Sequence, residues 1–275
     1  MKKGSSSTSI LILVLILGLS LMLYPSFSDY WNSMHQSRAI ATYAQHVAEL
    51  DTDKYEHIWK AAQDYNDRIQ NRENVFVMSD EELADYSNQL NLSGDGIMGY
   101  IEIPLIGTML PIYHGVDESV LQIAVGHIEW TSLPTGGAGT HCVISGHRGL
   151  PSAKLFSDLD KIVVGDLFML RILDELMTYE VDRVLVVEPD DVDALLISEG
   201  QDLCTLVTCT PYGVNSHRLL VRGHRVANTP EAVELRVTSD ALQIEPMIVA
   251  PVVAVPLILV FLILLGIYDF IRKRL

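Results

Sequence analysis

Cys142, Cys204 and Cys209 are the cysteines of this 275-residue chain, and a thiolate is the side chain best suited to attack an acyl carbon. A cysteine taken alone is more often a small buried hydrophobe than a nucleophile. Cys209 departs from that pattern because it closes the apolar run TLVTC and is followed by Pro211, Tyr212 and Gly213. A strand end presented by a turn is where loops build active sites. A catalytic thiol also needs a group that moves protons, and histidine is the usual choice. His147 follows the run HCVIS and sits between Gly146 and Arg148-Gly149, so a backbone turn displays it. His141, His217 and His224 remain alternatives on spacing alone. Acyl transfer further requires a donor for the developing oxyanion. Arg218 lies across the turn-forming TPYGVN from Cys209, so a hairpin would bring the guanidinium beside the thiol.

The neighbours of these residues carry finer expectations. Thr208 and Thr205 flank the nucleophile and could bond substrate, or act as ordinary strand threonines. Regular alternation turns His217 to the face opposite Arg218, and Asn215 and Ser216 shape the turn. Cys142 precedes His147, and Cys204 precedes Cys209, by the same interval. On neighbouring parallel strands the two thiols would share a level on the face opposite the catalytic groups. Buried free thiols are preferred there over a disulfide, whose geometry is demanding between adjacent strands.

The elements that must hold these groups read as β-structure. From Ile97 onward, short apolar runs such as GYIEIP, GTMLPIYHG, THCVISGH, GDLFMLRIL, LMTYEVDRVLVVEP, DLCTLVTC and RLLVRGHRV are split by Gly, Pro and Asp. Such punctuation predicts seven or eight strands in a barrel or sandwich. Short helical inserts are expected near DESVLQIAVG, SAKLFSDL and DVDALLIS. Upstream, Tyr30 to about Asn74 reads as helix, with Ile40, Tyr43, Val47 and Leu50 on one face. Ser79 to Gly96 is polar and acidic and reads as a connection.

Both ends are apolar. The chain carries −16 overall, yet its mean hydropathy is +0.25, and the apolar excess is localised. Gly4 to Ser28 holds no charged residue, and Met247 to Tyr268 is a second uncharged stretch long enough to cross a hydrocarbon core. Lys2 and Lys3 precede the first, and Arg272, Lys273 and Arg274 follow the second, which by the positive-inside rule puts both termini in the cytoplasm. The first segment is a retained anchor or a cleaved signal peptide, and the absence of an A-x-A-like site favours the anchor. Between the spans lie 14 basic and 34 acidic residues, about −20. That charge argues against a nucleic-acid partner, and no GxxxxGKS or GxGxxG string is present. Asp190, Asp191 and Asp193 form no EF-hand pattern and suit the start of a short helix.

Beyond these readings, TLVTCTPYGVNSHRLLVRGHR resembles the cysteine and arginine motif of the sortases, in the form of the class C, pilin-polymerising group. ISGHRGLPSAKLF resembles their histidine motif, and GDGIMGYIEIPLIGTMLPIYHG the entry to their barrel. The resemblance runs from about Leu92 to Val226. It implies a mainly β fold: an eight-stranded sortase-type barrel with short helical inserts, an N-terminal helical region and a transmembrane helix at each end. It implies Cys209 as nucleophile, His147 as proton donor and acceptor, and Arg218 as oxyanion-stabilising and substrate-orienting group. The substrate would be an LPxTG-like sorting signal cut between Thr and Gly, and the acceptor a pilin lysine. No metal or cofactor is implied.

Many class C enzymes cover the thiol with a lid bearing an Asp-Pro-aromatic motif. No such tripeptide occurs here, and Val75 to Asn91 occupies the corresponding place. The expected division is an anchor or signal at 1–28, a helical region at 29–75, a lid-like connection at 76–96, the catalytic barrel at 97–228, a linker at 229–246, a membrane helix at 247–268 and a basic tail at 269–275. Three other functions compete with a pilin polymerase. They are a sortase that attaches surface proteins to cell-wall precursor, a hydrolase with water as acceptor, and a catalytically silent binding module.

Overall fold

The computed structural model describes residues 4–70, 72, 76–228, 258, 261 and 262. The linker, the second membrane helix and the tail expected at 229–275 lie outside the described residues, apart from those last three. Helix α1 runs unbroken from Gly4 to Ala48, so the division expected at residue 28 falls inside one helix. Its window from Ile10 is apolar enough to span a membrane and none of it is buried. The helix expected from Tyr30 to Asn74 is interrupted at residues 49–51, where Asp51 Oδ1 accepts from Lys54 N at 2.7 Å and starts α2, Thr52–Gln70. An Asp at that position satisfies an amide left open at the helix start.

The polar stretch read as a connection contains a third helix, α3, Asp80–Asn88. Ser79 and Glu82 form a reciprocal capping box at its start, a pattern legible in Ser-Asp-Glu-Glu. Its Tyr86 is buried and anchors it. The hydroxyl lies 3.0 Å from His127 Nδ1, donates to His127 O at 3.1 Å, and accepts from Gly115 N at 3.0 Å. Burial drives the phenol's pKa well above its ordinary range, as expected of a ring whose charged form would have no water.

Eight strands then close into a barrel: β1 Ile97–Ile103, β2 Thr108–His114, β3 Val125–His127, β4 Thr140–Ser145, β5 Leu167–Ile172, β6 Glu175–Val187, β7 Asp202–Thr210 and β8 His217–Val226. Their spatial order is β1-β2-β3-β4-β7-β8-β6-β5. Short α4, Glu118–Leu121, and single 3-10 turns at Leu159–Lys161 and Asp193–Leu195 occupy the three expected inserts. Closure removes sheet edges and turns alternate side chains inward, among them Ile101, Ile112, Phe168, Leu206 and Val221. A smaller apolar cluster of Val143, Leu195, Val207 and Leu220 lies elsewhere on β4, β7 and β8 and in the β6–β7 connection, with Trp130, Leu185 and Val187 against it. The face expected from Ile40 packs inward: Ile40 and Tyr43 are buried, and Val47 and Leu50 lie against the core.

Candidate active site

β7 and β8 are antiparallel, and Cys209 sits directly opposite Arg218. The hairpin inferred from spacing therefore forms, and the two side chains share a face. Gly213 and Asn215 supply the turn's left-handed residues, φ 75° and 59°, and the Asn215 backbone amide donates to Pro211 O at 3.0 Å. Arg218 Nη1 donates to Asn215 O at 3.3 Å and His217 O at 3.2 Å, which holds the guanidinium over the turn. Strand alternation puts Val207 on the Cys209 face and Cys204, Leu206 and Thr208 on the other. The apolar cluster around Val207 thus forms a floor leading to the thiol. Cys209 is half-buried, whereas Cys142 and Cys204 are buried.

His147 arrives from β4, which runs parallel to β7 with Ser145 opposite Val207. Two residues further on, His147 and Cys209 reach the same level. The intervening Gly146 is clamped, since its amide donates to Val207 O at 3.0 Å and its carbonyl accepts from Thr208 Oγ1 at 2.7 Å. A Cβ on Gly146 would stand 2.7 Å from the Phe156 ring and 2.8 Å from Val125, so only glycine passes there. His147 Nε2 has no hydrogen-bond partner among the described residues and lies 3.7 Å from Glu118 Oε2 on α4. That carboxylate is mostly exposed and screened, and its pKa is held below the usual range first by the Gln122 amide and also by His147.

After His147 the chain is fixed to the β7–β8 turn. Arg148 pairs with Asp160, donates to Thr210 Oγ1 at 3.3 Å, and lies 5.9 Å from the centre of the Tyr212 ring. Gly149, φ 78°, packs so closely that a Cβ would stand 2.8 Å from that ring. Sequence reasoning singled out neither Arg148 nor Glu118. Arg148 sits in the His-Arg-Gly string and could have been flagged, while Glu118 reaches His147 only through the fold.

The remaining candidates fall elsewhere. Thr208 is buried and its hydroxyl is taken by Gly146. Thr205 Oγ1 lies 2.7 Å from His141 Nε2, and His141 Nδ1 lies 2.9 Å from Leu196 O, so this pair ties β4 and β7 to the β6–β7 connection. His217 faces away from Arg218, with Nδ1 2.9 Å from Ser216 Oγ. His224 is exposed, six residues along β8 from Arg218, about 20 Å at strand rise. Cys142 and Cys204 are direct partners on β4 and β7, as the equal intervals implied, and both are free thiols. Burial pushes the Cys204 thiol well above the ordinary range.

The match to known proteins coincides with this geometry. A family model described as the sortase domain matches residues 101–226. The structure of sortase C1 from Streptococcus agalactiae is 52% identical, with 70% of this chain and 100% of that one covered at a TM-score of 0.68. The chain belongs to the sortase family. A Streptococcus pneumoniae sortase C structure, described for catalysis and pilin substrate specificity, is 43% identical over 70% of this chain and 98% of that one, with a TM-score of 0.63. Sortase D of Bacillus subtilis is 30% identical over 131 residues, 46% of this chain, and the match spans 63% of that relative's length. Structural neighbours of this sortase are thus class C enzymes, and the family is one of cysteine transpeptidases.

Proposed function

We propose that this sortase is a membrane-anchored transpeptidase that joins LPxTG-bearing pilins to a pilin lysine, with its catalytic barrel outside the cell. The observation that carries the reading is the register that sets Cys209 beside Arg218 and level with His147. The Cys209 thiolate attacks the Thr carbonyl of the sorting signal, and Arg218 donates to the oxyanion of the tetrahedral intermediate. As that intermediate collapses, the C–N bond to Gly breaks and the His147 imidazolium gives its proton to the departing amine. A thioacyl enzyme remains. The lysine amine then attacks the thioester, neutral His147 takes its proton, and the thiolate leaves. The sum is one amide broken and one formed, with no cofactor in the balance. The apolar floor of Val143, Val207 and Leu220 suits the Leu and Pro of the signal, and α1 holds the enzyme where secreted chains emerge.

Phe76 adds a covering element. Its ring meets Trp130 edge-on at 5.0 Å, and Trp130 lies on the apolar floor. The part of the 76–96 segment that covers the site is its start, while α3 is fixed to the barrel by Tyr86. Phe76→Ala, which leaves Tyr86 in place, should speed acylation of Cys209.

The test uses the full chain in phospholipid nanodiscs, given an LPxTG peptide and a pilin-type lysine peptide, with products read by intact mass. An LPxT-lysine adduct is expected from the wild type and none from Cys209→Ala. A thioacyl mass with no adduct would move the acceptor to a cell-wall amine, and free LPxT acid alone would indicate a hydrolase. Absence of acylation across signal variants, with Phe76→Ala also silent, would leave a binding module.

A further inference from the structure

We propose that the loop carrying His147 and the β7–β8 turn form a lipid-facing surface, so that the catalytic thiol opens at the headgroup level of a phosphatidylcholine-like bilayer. The inference rests on the reading of α1 as a membrane span, and height along that helix is its ruler. A hydrocarbon core of about 30 Å takes roughly 20 helical residues. Counted from Gly4, where α1 begins, it ends near Leu23 and Tyr24. Tyr24 and Phe27 follow with 57% and 64% of their surface exposed, aromatic rings at the height of the interface. Asp29 then stands about 8 Å beyond the hydrocarbon, near the outer limit of a headgroup layer about 5–7 Å thick.

The barrel is fastened to α1 from that height upward. Asp29 Oδ1 accepts from Lys154 N at 2.6 Å, and Asn32 Nδ2 donates to Ser152 O at 2.8 Å. Ser152 and Lys154 belong to the loop that begins at His147. Higher on the helix, Gln36 Nε2 donates to Ile123 O at 2.6 Å, and Tyr43 OH donates to Met98 O at 2.8 Å and accepts from Leu173 N at 2.7 Å. Leu173 is thus held about 21 Å above Asp29, at 1.5 Å per residue. Bonds at four helix positions fix the barrel's tilt as well as its height, with the His147 loop lowest.

The β7–β8 turn lies against that loop through the Tyr212 contacts with Gly149 and Arg148. At its tip Tyr212 and Val214 are 63% and 69% exposed. A tyrosine with an apolar neighbour at a turn tip is the chemistry of an interfacial anchor. The loop's cations do not form a basic patch: Arg148 pairs with Asp160, and Lys154 and Lys161 with Asp158. With about −20 outside the membrane, the contact is aromatic and apolar, and a zwitterionic lipid suffices. A sorting signal still rooted in the bilayer would then meet Cys209 where it leaves the lipid.

The test reconstitutes the full chain in phosphatidylcholine vesicles, with and without a fraction of lipid bearing a nitroxide on its headgroup. Val214→Trp and Tyr212→Trp report on the turn, and Asp174→Trp, beside Leu173, reports on the distant end. Flotation with the vesicles reads the span itself. The added fluorescence at 214 and at 212 should fall at least twofold with the nitroxide lipid, and that at 174 should be unchanged. Chains that float while 214 and 212 stay unquenched would overturn the surface and leave the span standing. Equal quenching at 174 would overturn the orientation. Chains that do not float would overturn the span, and the surface with it.

Discussion

The two halves of the active site are built by different means. Cys209 and Arg218 face each other across one hairpin, so the backbone ladder of β7 and β8 sets their separation. His147 stands on a loop closed on itself by the Phe156 amide and otherwise positioned by residues far away in sequence: Thr208 and, through Ser152 and Lys154, Asn32 and Asp29 on α1. A ladder is cooperative and local, whereas a loop held by scattered single bonds loses its place when any one is removed. The hairpin half should therefore fail only when its own side chains change. The histidine half should also fail through supports that never touch substrate.

The largest effect is expected in the hairpin half, apart from loss of the nucleophile itself. Arg218→Ala removes the oxyanion donor and should lower kcat by about 10²–10³ while leaving the unfolding midpoint unchanged, because among the described residues the half-exposed guanidinium bonds to its own turn. Single-turnover acylation of Cys209, followed by intact mass, measures it. Arg218→Lys should recover only part of the rate, since a point charge lacks the planar fork. Full activity in Arg218→Ala would remove the arginine from the mechanism.

The same contrast explains what was legible in the sequence. The hairpin was, because TLVTC, a Pro-Tyr-Gly turn and an arginine at ladder spacing sit in one short stretch. The pairing of Cys142 with Cys204 was legible for the same reason, from equal intervals on two strand-like runs. Seven strand runs were readable from alternation and punctuation, but β3 has three residues, too few for a period, and was absorbed into the helical insert before it. The supports of His147 were not readable, because Asp29 and Asn32 lie more than 100 residues upstream in a stretch whose composition speaks only of membrane and helix. Helix α3 shows in the sequence only through its capping box, Ser79 and Glu82, because the acidic composition around it equally suits a solvated connection.

The next test acts on a support. Thr208→Val keeps shape but leaves the Gly146 carbonyl without its donor in a buried place, at a cost of about 1–3 kcal/mol of stability. Because that carbonyl directly precedes His147, kcat should fall several-fold while the KM for the sorting peptide holds. Thr208→Ser, which restores the donor, should recover most of the rate. Loss of stability at full kcat would show that the histidine loop is held without the threonine.

The smallest effect concerns pH, and it separates the fold from the chemistry. His141 lies outside the catalytic set, and its pKa falls below the ordinary value of about 6.5 chiefly because burial disfavours the imidazolium; Arg222 adds to this, while the Leu196 carbonyl and Asp182 oppose it. His114 is lowered as well, again first by burial. A histidine kept neutral in the fold takes up fewer protons than in the unfolded chain. Its contribution is complete above pH about 6.5 and is lost as pH falls below it. The unfolding midpoint should therefore hold between pH 8 and 7 and decline from 6.5 toward 5. His141→Gln, whose side-chain amide can take the place of Nε2 beside Thr205 Oγ1, should flatten that decline. His141 bonds Thr205 and the Leu196 carbonyl and lies outside the Cys209–Arg218 hairpin end, so the flattened variant should keep the wild-type rate at pH 7. An unchanged slope in His141→Gln would place the pH sensitivity of the barrel in other groups, with His114 the first to substitute.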